Sequence, residues 1–117
     1  MPQLFALMLA AATFVAQQPQ VYAPSNGVSL PRVTKQVKAD YTDEARARRI
    51  VGVVMLDVVV NADGAVGDVQ VSRSLDSVYG LDASAVKAMK QWQFAPGTKD
   101  GKAVAVRIAV EMTFSLK

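Results

Sequence analysis

The chain has 117 residues, no cysteine and no histidine, and its 13 basic and 10 acidic side chains leave a net charge of +3. That length suits one domain with a core large enough to fold without staples. Without Cys or His there are no disulfides, no thiolate or imidazole metal ligands, no Cys nucleophile and no Ser-His triad.

Every charged residue lies at or after Arg32, and this composition shift is the clearest boundary in the chain. Leu4 to Ala16 is an apolar, helix-permitting run that stops at Gln17-Gln18-Pro19-Gln20. It is shorter than the ~20 residues that span a bilayer, so no spanning helix is expected. Its length and polar flank fit the hydrophobic region of a secretory signal, with Ala10-Ala11-Ala12 meeting the small-x-small cleavage rule. An N-terminal helix packed on the domain is the competing reading. The expected division is a signal-like segment over 1–16, an extended linker with short strands over 17–40, and a folded domain over 41–117.

Pro19, Pro24, Pro31 and Ser25-Asn26-Gly27 keep the linker extended and looped. Within it, Val28-Ser29-Leu30 and Val33–Val37 are candidate short strands, to lie on the second face of the hairpin that follows. Tyr41 to Ile50 reads as a short helix with Thr42 as its cap, acids in its first turn and bases in its last. Arg46, Arg48 and Arg49 then belong to a solvated helix end; with no interleaved aromatics they make no nucleic-acid face.

Ile50 to Ser74 is the organising stretch. Two β-branched runs flank Asn61-Ala62-Asp63-Gly64, and Asp-Gly in that setting is a strong hairpin signal. Val54, Leu56, Val58 and Val60 share one wholly apolar face; Val53, Met55, Asp57 and Val59 share a second, mostly apolar one. Such a strand belongs in the centre of a sheet. Gly80-Leu81-Asp82 opens a second helix with Asp82 as the expected N-cap, and Leu81, Ala85, Ala88, Met89 and Trp92 fall on one face of it. Trp92 reads as a packing anchor. After the Asp100-Gly101-Lys102 turn, Val104, Val106, Ile108, Val110, Met112, Phe114 and Leu116 alternate with Ala105, Arg107, Ala109, Glu111, Thr113, Ser115 and Lys117.

The expected fold is α+β: a three-stranded antiparallel sheet in the order second–first–third, one main helix on one face and a short helix before the first strand. The last strand is then a long edge whose unpaired backbone can template another strand. No chemistry-bearing motif emerges. Asp57, Asn61, Asp63 and Asp68 lack the spacing and closing glutamate of a calcium loop, and the serines near Lys87 and Lys90 have no catalytic frame. No enzyme, metal or cofactor is expected.

Tyr41…Ala45…Ile50-x-Gly52-x-Val54, Asp63-Gly64-x-Val66, Val69-x-Val71, Leu81-Asp82, Ala85, Trp92-x-Phe94-x-Pro96 and Gly101-Lys102-x-Val104 together resemble the TonB C-terminal domain family over about Pro31 to Leu116. The resemblance implies a periplasmic domain that contacts outer-membrane transporters. In TonB proper it also transmits force from a proton-driven inner-membrane complex. Partners bind such domains by strand addition to the last strand. Carried onto this chain, that implies a partner-binding edge at Ala105, Arg107, Ala109, Glu111 and Thr113. The alternative is a structural domain that pairs through the same edge with its own copy, a homodimer.

Overall fold

A computed structural model describes residues 20–25 and 27–116. The Leu4–Ala16 run, with its export reading, lies outside the described residues. In chain order the elements are β1 (Val21–Tyr22), β2 (Val28–Ser29), β3 (Arg32–Lys35), α1 (Asp43–Ala47), β4 (Gly52–Val60), β5 (Val66–Arg73), α2 (Leu81–Met89), β6 (Gln93–Ala95), β7 (Gly97–Lys99) and β8 (Lys102–Phe114).

The hairpin forms where Asp63-Gly64 places it. Asn61 donates its N–H to the Ala65 carbonyl (2.8 Å) and accepts from the Gly64 N–H (2.8 Å), while the Asp63 carboxylate accepts from the Ala65 N–H (2.9 Å). Gly64 has φ +88°, and a Cβ there would collide with the Phe94 carbonyl. The Phe94 N–H in turn donates to the Gly64 carbonyl (3.0 Å), tying β6 to the hairpin tip.

β4 is central. It pairs antiparallel with β5 on one side and, from Gly52↔Phe114 to Val60↔Val106, with β8 on the other. Val54, Leu56, Val58 and Val60 are fully buried in one core with Leu81, Ala85, Ala88 and Met89 of α2 and with Met112 and Phe114 of β8. Val59, on the second face, is buried too at 6 % exposure.

Three expectations need correction. The sheet has six strands rather than three: it follows the order β2-β7-β8-β4-β5, with β1 also on β8. It is not wholly antiparallel, because β1 runs parallel to β8. β3 does not lie on the hairpin's second face; it pairs antiparallel with β6 in a separate two-stranded sheet. The added strands are two to four residues long, too short to show a period; β1, β2 and β3 find their partners far along the chain, whereas β7 folds back on β8 across the Asp100-Gly101 turn.

The helix caps divide in the same way. Thr42 caps α1, accepting from the Ala45 N–H (3.2 Å) and donating to the Tyr79 carbonyl (2.8 Å). The α2 N-cap is Gly80 at φ +98°, two residues before the expected Asp82. Asp82 points back instead, accepting from the Leu75 and Asp76 N–H groups (both 3.0 Å) and from the Ser74 hydroxyl. Asp76 supplies the missing acceptor for the helix end, taking the Leu81 N–H (3.1 Å). α2 also ends at Met89, so Trp92 lies beyond it, half-buried against the core.

Candidate protein-interaction edge

The backbone direction along β8 follows from the hairpin. Because Asn61 bonds across the turn with its N–H and C=O, those groups face β5, and strand alternation turns those of Val60, Val58, Leu56 and Val54 toward β8. Their partners in β8 are Val106, Ile108, Val110 and Met112. The intervening Arg107, Ala109, Glu111 and Thr113 therefore aim their N–H and C=O groups at the opposite edge. Among the described residues, no strand pairs with that edge from Arg107 to Phe114 on the side away from β4.

The five residues expected to bind a partner do not share one environment. Arg107, Ala109, Glu111 and Thr113 are exposed, on the face opposite Met112 and Phe114. Ala105 is only 7 % exposed, and β1 already pairs with it through Val21. Tyr22 pairs with Val106, and its ring stacks under the Lys99 ammonium at 4.9 Å. Among the described residues the one ion pair within 4.0 Å is Arg48–Glu44 (3.7 Å), so the Arg107 and Glu111 charges are not committed to each other or to neighbours.

At its far end the edge opens into a groove of about 920 Å³ lined by residues 36–41, Arg46, Trp92 and the consecutive residues 111–115 of β8. Consecutive residues point to both faces, so the groove runs along the strand edge. Its outer wall is held in place by side chains. Trp92 Nε1 donates to the Val37 carbonyl (2.8 Å), the Ser84 hydroxyl donates to the Asp40 carbonyl, and the Tyr41 hydroxyl donates to the Ile50 carbonyl. The Tyr41 ring meets Phe114 edge-on (centroids 5.5 Å apart), with the Arg46 guanidinium 5.0 Å from its centre. Lys38, Asp40, Arg46 and Glu111 give the groove charges of both signs. Of the residues expected to bind a partner, Glu111 and Thr113 line this groove; Trp92, expected as a packing anchor, both packs against the core and forms part of its wall.

The perturbed carboxylates lie elsewhere, in the loop between β5 and α2. Burial raises the pKa of Asp76, but N–H donors from Tyr79, Leu81 and Val78 outweigh it and hold the carboxyl below its ordinary range. Burial likewise raises that of Asp82, and the Asp76 N–H, the Ser74 hydroxyl and the Leu75 N–H bring the net shift downward. These two groups are saturated acceptors that shape a loop. Among the described residues, no three His, Cys, Asp or Glu side chains gather as a metal site, and no helix is long and apolar enough to cross a membrane.

The sequence profile described as Gram-negative bacterial TonB protein C-terminal matches residues 37–116, from the groove wall to the end of β8. The chain belongs to the TonB C-terminal domain family. It is 40 % identical over 88 residues to protein TonB of Vibrio cholerae, covering 73 % of this chain and 34 % of that protein. To protein tonB2 of Pseudomonas aeruginosa it is 36 % identical over 77 residues, covering 66 % of this chain and 28 % of the relative. The chain thus spans about a third of the length of these curated relatives. The solution NMR structure of the Pseudomonas aeruginosa TonB C-terminal domain superimposes with a TM-score of 0.60 at 26 % identity, covering 80 % of this chain and 90 % of that one. Within this TonB C-terminal domain, α1 through β8 fall in the matched span and β1, β2 and β3 precede it.

Proposed function

We propose that this TonB C-terminal domain is a non-enzymatic, cell-envelope interaction module in support of TonB-type transport. It binds the N-terminal peptide of an outer-membrane transporter by strand addition to β8. The observation that carries the reading is the row of outward-facing backbone groups at Ala109, Glu111 and Thr113, to which no strand pairs among the described residues, with the Arg107 side chain beside it where β1 ends. Main-chain bonds along that row supply affinity, and the side chains beside it select the partner. Arg107 and Glu111, four residues apart on one face, suit a peptide with charges of opposite sign at the same spacing. Ala105 joins the site only if β1 moves. The apolar Leu4–Ala16 run serves as the export signal that delivers the domain to the periplasm, and residues 17–40 join it to the domain of 41–117.

Ala109→Pro tests this directly. Proline deletes one donor at the open edge and blocks close approach there, while the β4 ladder through Ile108 and Val110 keeps its bonds. With circular dichroism showing the parent fold, calorimetric titration with the transporter peptide is expected to show binding abolished. Arg107→Ala is expected to weaken binding without abolishing it. A folded Ala109→Pro protein that binds like the parent would contradict strand addition. Concentration-dependent dimerisation of the free parent, lost in the same variant, would assign the edge to a second copy of the chain.

A further inference from the structure

We propose that β1 is a displaceable stop on the open edge of β8, setting where a partner strand begins and how long it can be. This role presupposes the strand-addition reading above. Val106 is paired with Val60 on one side and with Tyr22 on the other, so β1 occupies the very edge a partner would use. Its pairing is small: Val21↔Ala105 and Tyr22↔Val106, in parallel. Parallel pairs hold somewhat less per residue than antiparallel ones. Val21 is 39 % exposed, and the Tyr22–Lys99 stack is a weak restraint at the surface.

β1 also cannot lengthen. In that register Pro24 would fall opposite Ile108, and it has no N–H to give to the Arg107 carbonyl. Among the described residues, the chain therefore covers Ala105 and Val106 and leaves Ala109, Glu111 and Thr113 without a partner strand on that edge. A guest strand confined to Arg107–Thr113 lies in line with β1 and leaves it docked. A longer guest that reaches Val106 and Ala105 has to expel Val21 and Tyr22. Its apparent affinity is then the intrinsic affinity multiplied by the fraction of time that β1 is away. β1 pairs with β8 off the path that joins β5, β4 and β8, so its release breaks none of the pairs between those three strands.

The test uses the full chain and two synthetic peptides from the N-terminal segment of one outer-membrane transporter. One is long enough to pair with Arg107–Thr113; the other is extended by two residues at both ends, so that either strand direction reaches Val106 and Ala105. Calorimetry compares the parent with Tyr22→Pro, which removes the β1 donor and its ring, and with Lys99→Ala, which removes only the stacking cation. The longer peptide is expected to bind Tyr22→Pro about three- to tenfold more tightly than the parent. Lys99→Ala should fall between them, and the shorter peptide should bind all three alike. An unchanged affinity of the longer peptide for both variants, or an equal gain for both peptides, would overturn the stop alone. If neither peptide binds any of the proteins, the strand-addition reading falls and the stop falls with it.

Discussion

β4 and β8 are the two long strands of the sheet, both alternating and both rich in valine, yet they differ in what remains unsatisfied. β4 has neighbours along both edges, with Asp57 opposite Gln70 in β5 and opposite Ala109 in β8. Beyond Val106, β8 has one neighbour among the described residues, and the backbone groups of every second residue face outward. Both strands send their even-numbered residues into the same core, but they differ in hydrogen bonding and on the second face, where Val59 of β4 is buried and Arg107, Ala109, Glu111 and Thr113 of β8 are exposed. A central strand stabilises the fold, whereas an edge strand keeps part of its bonding capacity for another chain. The two should therefore respond differently to substitution.

The largest effect is expected in β4. Leu56 is fully buried, and Leu56→Ala should cost about 2–5 kcal/mol in urea unfolding. A loss below about 1 kcal/mol would mean the centre of the sheet is not where the core is densest. Next comes Trp92→Ala, at about 2–4 kcal/mol, because a half-buried ring and its bond to the Val37 carbonyl are lost together. That variant also frees the wall of the groove beside β8, so peptide affinity should fall with it.

Asp76 gives a smaller, pH-dependent effect. Its folded pKa lies below the ordinary carboxylate value of 3.8, so its contribution is present above that value and is lost as pH falls through the folded pKa. Asp82 acts in the same sense. Asp76→Asn should lower stability at neutral pH and flatten the acid limb of the unfolding curve below about pH 4; an unchanged acid limb would remove Asp76 from this role. The smallest effect belongs to the β8 surface: Glu111→Ala should change stability by less than about 0.5 kcal/mol, because its side chain is exposed and forms no ion pair within the described residues.

How far the sequence carries the structure depends on the distance between partners. Asp63-Gly64 between β-branched runs is a local signal, and so is Thr42 before Asp43-Glu44; both sit where their chemistry puts them. The apolar face of α2 from Leu81 to Met89 is read from its period in the same way. Asp76 gives no such signal, because its acceptor role depends on the loop bringing the Val78, Tyr79 and Leu81 N–H groups around it. The two-residue strands β1 and β2 have no period at all, and their partners lie about seventy to eighty residues away. The candidate site is legible in the same partial way. Alternation separates Arg107, Ala109, Glu111 and Thr113 from the core, but it reports which face a side chain takes and not which edge its backbone bonds. That information enters only with the Asn61–Ala65 bonds and the register of β4 against β8, and with the finding that Ala105 is already paired.

Residue-resolved amide hydrogen exchange along β8, with and without a transporter peptide, tests this edge most directly. In the free protein Ile108, Val110 and Met112 should exchange slowly through their bonds to β4, while Ala109, Glu111 and Thr113 exchange quickly. On peptide binding, the second set alone should slow. Slow exchange at Ala109, Glu111 and Thr113 in the free monomer, or no change there with peptide bound, would contradict an open edge on β8.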